Sequence, residues 1–174
     1  MGWFDLGAGV FATIVVLAAA AAPKMQHHEA VNILLVDHDD AQVEHVGRAF
    51  RDADFRNPVR RARDGTQALQ MLRGGAGHEL VDHPRLVVLE LRLPGMDGLR
   101  FLSEVRADVE IADTVVFVLT GSTDRKDVAA AYERNVAGYV MKSEQGTGLR
   151  GLVELLDAYC RAVELPGPQK VRRR

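Results

Sequence analysis

With 174 residues, 47% of them hydrophobic and 26% charged, the chain can bury one good core and leaves little room for two full domains. A net charge of −2 excludes a global field for nucleic acid or acidic membranes, and a single cysteine, Cys160, excludes an internal disulfide framework and suits a reducing compartment. No cysteine and histidine spacing suggests a structural zinc site.

Residues 6–22, LGAGVFATIVVLAAAAA, carry no charge and are followed by Pro23 and Lys24. The stretch lies at the short end of the membrane-spanning range of about 17–25 residues, and its alanines make it weakly apolar. Three readings stay open. As a secretory signal it lacks basic residues ahead of the apolar run, although the small residues before Pro23 resemble a cleavage region. As an inner-membrane anchor it would have Lys24 hold the following domain in the cytoplasm. In the third reading Met25 is the true start. The expected division is an apolar extension over 1–30, a globular domain over 31–165 and a basic tail over 166–174.

From Val31 onward, strand-like and helix-like patterns alternate five times. ILLV at 33–36 leads to a helix with Val43, Val46 and Phe50 on one face. PVRRA near 59–62 leads to Asp64, a helix cap, and then to Ala68, Leu69 and Leu72. LVVL precedes a helix capped by Asp97 that carries Phe101, Leu102 and Val105. VVFVL precedes a helix from about Thr123 to Arg134, and GYVM precedes one bearing Leu152, Leu155, Leu156 and Tyr159. Cys160 falls on that last helix as a small core residue. Residues 74–84, GGAGHELVDHP, read as a long exposed loop, and the tail with its arginines reads as a solvated terminus, not a nucleic-acid site.

Strands separated by helices require crossover connections and a parallel sheet, so the expected architecture is a five-stranded α/β sandwich. Polar groups stand at the carboxyl ends of four apolar runs: Asp37 after ILLV, Glu90 after LVVL, Thr120 at the end of VVFVLT and Lys142 after GYVM. The carboxyl ends of parallel strands are where such sheets place their chemistry, so these four are expected to meet in one pocket.

On these residues the chain resembles a response-regulator receiver domain. LELRLPGMDG, VLTGS and GYVMKS match receiver motifs in order, with 30 positions from Glu90 to Thr120 and 22 from Thr120 to Lys142. The long loop before Pro84, DVAAAYERNVAGYV and the terminal DAYCRAVELP are similar to stand-alone regulators related to the partner of cyanobacterial phytochrome. The resemblance implies a (βα)5 doubly wound, flavodoxin-like fold and a signalling protein, not an enzyme. In the family an aspartate accepts a phosphoryl group from a kinase histidine. Mg²⁺, held by that aspartate and an acidic pair, neutralises the phosphoryl oxygens, and a lysine and a threonine bind them. Carried over, Thr120 and Lys142 are the phosphate-binding positions, Tyr139 is the aromatic of the switch, and Asp37 is the first acid.

Three positions depart from that pattern, the first two of them among the acids. Glu90 occupies the phosphoacceptor position and His38 the second acidic one. A glutamate carboxylate stands about 1 Å further out, enough to cost about 10²-fold where in-line geometry matters. Histidine suits softer metals than Mg²⁺. Asp39 and Asp40 are candidate replacements, and equally candidates to begin the first helix. The expectation is therefore a weak Mg²⁺ site at Asp37 and Glu90 and slow or absent phosphorylation. Ser143 stands where the family has proline, so the bond before it is expected to be trans. Glu90 is expected to reach Lys142, which leaves three states open: switched on, locked off because nothing would pull on the Thr120 hydroxyl, or simply decayed.

With no output domain after Leu165, the signal is expected to leave through the receiver's own surface. The fourth helix, fifth strand and fifth helix, about 123–163, would meet a histidine kinase, a downstream protein or a second copy of the chain. Val136, Tyr159 and Val163 there are read as core or interface, with core the preferred reading for each singly. A phosphohydrolase of the haloacid-dehalogenase type is the enzyme alternative, with Asp37-His38-Asp39 as its nucleophile strand. It needs a further acidic pair after Lys142, where only Glu144 is near, and it leaves LPGMDG unexplained.

Overall fold

The computed structural model describes residues 30–75, 77–142 and 147–167. The possible span at 6–22, the bond before Ser143 and the tail beyond Gly167 lie outside them. No helix among the described residues is long and apolar enough to cross a membrane.

Five strands and five helices alternate as the apolar pattern predicts. In chain order they are β1 (Asn32–Val36), α1 (Asp40–Asp52), β2 (Val59–Ala62), α2 (Gly65–Arg73), β3 (Arg85–Leu89), α3 (Gly98–Ala107), β4 (Val115–Thr120), α4 (Arg125–Tyr132), β5 (Gly138–Met141) and α5 (Thr147–Ala162). All pairings are parallel, in the order β2-β1-β3-β4-β5. Every residue of β3, the central strand, is buried, because helices cover both sheet faces. Val46 and Phe50 of α1 and Leu152 and Leu156 of α5 pack on one face with Ile33, Leu35 and Val88. Leu69, Leu72, Phe101, Leu102 and Ala131 pack on the other with Leu34, Val87 and Val118. Cys160 is in the core, and burial pushes its thiol up to about 11.

Three sequence expectations need correction. The 74–84 loop is not simply exposed. Val81 is fully buried, its N–H bonds Met71 O at 2.9 Å, and Arg60 and Arg85 grip carbonyls of the same loop. An isolated apolar residue in a polar segment carries no period, so nothing in the pattern marked it. Helix α4 is shorter than 123–134. Asp124 caps it by accepting the Lys126 N–H, and the chain turns at Asn135 with φ +54°. Val163, read as core, is 37% exposed, whereas Val136 is buried and Tyr159 packs edge-on to Phe117.

Candidate functional site

Sheet register builds the site. Val36 pairs with Leu89 and Thr120 with Met141, so the residues that follow β1, β3 and β5 emerge at one rim beside the last residue of β4. The backbone keeps them there: Glu90 N–H donates to Val36 O at 2.9 Å and Lys142 N–H to Thr120 O at 2.8 Å. The loop after Glu90 closes tightly. Gly95 adopts φ +72°, and a Cβ on Gly98 would stand 2.6 Å from Leu91 Cα and 2.8 Å from Glu90 O. Glycine at these positions of LPGMDG lets the start of α3 press against the backbone that carries Glu90.

The four residues singled out at the strand ends meet. Lys142 Nζ donates to Asp37 Oδ2 and to Glu90 Oε2, each at 2.8 Å. Thr120 Oγ1 donates to Glu90 Oε1 at 2.5 Å, and Arg92 N–H donates to the same oxygen at 2.9 Å. Asp37 Oδ1 accepts the Asp39 N–H at 2.9 Å. Asp37, Glu90 and Thr120 are all buried. The idea that nothing pulls on the Thr120 hydroxyl is thereby corrected, since the longer side chain places Glu90 Oε1 on it.

Electrostatics follow from this geometry. Burial pushes the Glu90 carboxyl up, but the Arg92 N–H, the Lys142 ammonium and the Thr120 hydroxyl outweigh it and hold the group below its ordinary value. For Lys142, burial pulls downward, and bonds to Asp37 and Glu90 reverse that and raise it. The charged forms of both groups stabilise each other.

The neighbouring acids do not join this cluster. Asp39 was a candidate for the acidic pocket; it instead caps α1, accepting the N–H groups of Ala41 and Gln42. Asp40 lies between Arg61 and Arg63, at 2.5 and 3.1 Å. Arg61 also donates to Asp37 O and His38 O, fastening the β1–α1 loop from β2. His38 has a half-exposed side chain whose Nδ1 is 3.9 Å from Asp37 Oδ1. With Lys142 in place, this donor set does not fit a resident Mg²⁺. Each carboxylate oxygen of Asp37 and Glu90 already accepts a donor, and Lys142 stands between them. Among the described residues no three His, Cys, Asp or Glu are grouped to hold a metal.

Beyond the cluster a relay leads to α4 through Ser122 and Asp127, two residues the sequence reading did not single out. Ser122 N–H donates to Thr120 Oγ1 at 3.3 Å, and Ser122 Oγ donates to Asp127 Oδ2 at 2.5 Å. Tyr139 OH donates to Ser122 O at 3.1 Å. Arg92 approaches Asp127 at 3.8 Å. The only sequence hints were the place of Ser122 in VLTGS and of Asp127 at the head of DVAAAYERNVAGYV, and neither assigned the residue a role; Arg61 had no motif.

Comparison with known proteins agrees with this architecture. Residues 33–154 match the response regulator receiver domain family. The chain is 36% identical over 129 residues to a probable methanogenesis regulatory protein, FilR2, of Methanothrix harundinacea, spanning 73% of this chain and 81% of that protein. It is 30% identical over 127 residues to the response regulator Rcp1 of Synechocystis sp., spanning 73% and 86%. Among solved structures, the Mn²⁺-bound form of Rcp1 superposes with a TM-score of 0.70 at 30% identity, covering 79% of this chain and 99% of that one. The phosphorylated cyanobacterial phytochrome response regulator RcpA superposes with a TM-score of 0.71 at 26% identity, covering 80% and 100%.

Proposed function

The chain belongs to the response regulator receiver family of two-component signalling, and from that membership we propose that it is a receiver whose state does not depend on phosphorylation at the usual acceptor position. One observation carries the reading: Glu90 accepts from both Lys142 Nζ and Thr120 Oγ1. These are the two groups that the family directs at a phosphoryl oxygen. A side chain one methylene longer than aspartate brings its own carboxylate to them, so the Thr120 hydroxyl is drawn to the acceptor side without phosphate. Tyr139 is held through Ser122 O, and Asp127 ties Ser122 to the first turn of α4. The arrangement is that of a switch fixed in one position. Mg²⁺ binds weakly at best at Asp37 and Glu90.

The signal leaves through α4, β5 and α5, where Tyr132, Met141, Leu155 and Val163 present apolar surface. The partner is a histidine kinase of the phytochrome type or a protein downstream of it, and the same face is available to a second copy.

Incubation with a radiolabelled small phosphodonor and Mg²⁺ tests the reading. The expected result is no acid-stable, base-labile label, with the double variant His38→Asp, Glu90→Asp gaining about 10²-fold in labelling rate through restored in-line geometry. Stoichiometric label on Glu90 of the unaltered protein would overturn it.

A further inference from the structure

We propose that Lys142 is the resident cation of this site, occupying the place where a receiver takes a divalent ion, and that loss of its ammonium turns Asp37 and Glu90 into a divalent-cation site. The inference rests on the reading of Glu90 given above. Its basis is the sharing of one ammonium: Nζ lies 2.8 Å from Asp37 Oδ2 and 2.8 Å from Glu90 Oε2, reaching from the end of β5 across β4 and β3 to the end of β1.

A single positive charge between two carboxylates leaves one negative charge over, which a lone ammonium would not satisfy in a buried setting. Here dipoles supply the remainder. The Asp39 N–H faces Asp37 Oδ1, while the Arg92 N–H and the Thr120 hydroxyl face Glu90 Oε1. The oxygens turned away from Lys142 are thus already met by donors. Glu90 turns Oε2 to the ammonium and Oε1 to the Arg92 N–H and the Thr120 hydroxyl, so its two oxygens divide the work. The ammonium is also tethered, so it competes with a dissolved ion at high effective concentration.

No further acid offsets that advantage. Asp39 caps α1, Asp40 is held by Arg61 and Arg63, and His38 offers nitrogen in place of oxygen. Mg²⁺ commonly binds through one or two carboxylates while keeping several waters, so Asp37 and Glu90 alone suffice once the ammonium is gone. What keeps the ion out is an occupant, not a missing ligand.

The test compares the full chain with Lys142→Met, Lys142→Arg and the double variant Lys142→Met, Glu90→Gln. Thermal midpoints are read in chelator and in about 10 mM Mg²⁺, with bound Mn²⁺ counted by electron paramagnetic resonance. The unaltered protein and Lys142→Arg are expected to shift by less than about 1 °C, whereas Lys142→Met, destabilised in chelator, recovers about 4 °C or more with Mg²⁺. The added Glu90→Gln abolishes that recovery. An unaltered protein that gains as much from Mg²⁺ as Lys142→Met, or a folded Lys142→Met indifferent to the ion, overturns the proposal. If Lys142→Met does not fold, the Mn²⁺ count on the unaltered protein decides: none bound supports the proposal, and one equivalent overturns it. Phosphodonor label on Glu90 would end the functional reading alone, and bound Mn²⁺ without label would end this inference alone.

Discussion

Strand β3 begins on Arg85, 3% exposed, and is followed by Glu90, 7% exposed, so the same strand buries a charge at either end. The two meet different kinds of hydrogen-bond partner, although, against its burial, the Asp113 and Asp82 carboxylates also favour the arginine's charge. Arg85 Nη1 donates to backbone carbonyls, Leu72 O at 2.8 Å and Val81 O at 3.0 Å. Glu90 meets a side-chain ammonium and a side-chain hydroxyl as well as one backbone N–H. Backbone carbonyls have one position once α2 and the 74–84 loop have folded, so the arginine end is scaffold. Side chains can turn toward another ligand, so the glutamate end is where the molecule can hold or change a state.

Three substitutions or conditions break this comparison at different points. The largest effect is expected from Lys142→Met, which strands two buried carboxylates without their cation. Urea unfolding without divalent ions should show a loss of about 3–5 kcal/mol, together with movement of the Thr120 and Tyr139 resonances. Arg85→Met comes next. It leaves two carbonyls without their donor and is expected to cost about 2 kcal/mol, yet the Thr120 and Tyr139 resonances stay in place, because the scaffold end does not touch the switch. A stability loss with equal disturbance at both ends would refute the separation of roles.

The smallest effect concerns pH. The Glu90 carboxyl is held below its ordinary value. Its contribution is therefore complete above an unfolded value of about 4.3 and disappears as pH falls through the lower folded value. Lys142 is raised, so its share is complete below about 10.4 and fades as pH rises through the folded value. Glu90→Gln should flatten the acid limb of the urea midpoint against pH, while Arg85→Met leaves the shape of that limb unaltered.

Much of the architecture was legible in the sequence. Alternation of buried runs with helical periods located ten elements, because burial on two faces and burial on one leave different spacings. The motifs after the third, fourth and fifth strands placed Glu90, Thr120 and Lys142 at strand ends. Ser122 and Asp127 escaped because a hydrogen bond between a loop and a helix turn leaves no period. Val81 escaped because the residues that enclose it lie on α2 and β3, not beside it in the chain.

The amino-acid order alone determined that four of the five strands would carry an acid, an acid, a hydroxyl and an amine to one rim, since apolar periodicity and turn chemistry are local properties. Only the tertiary structure decided which acid met which cation. Asp37, Asp39 and Asp40 lie within four positions and are chemically equal, yet one binds Lys142, one caps a helix and one pairs with Arg61 of β2 and Arg63 just beyond it. That division arises from strand order and side-chain reach across the sheet, and these exist only once the chain has closed on itself.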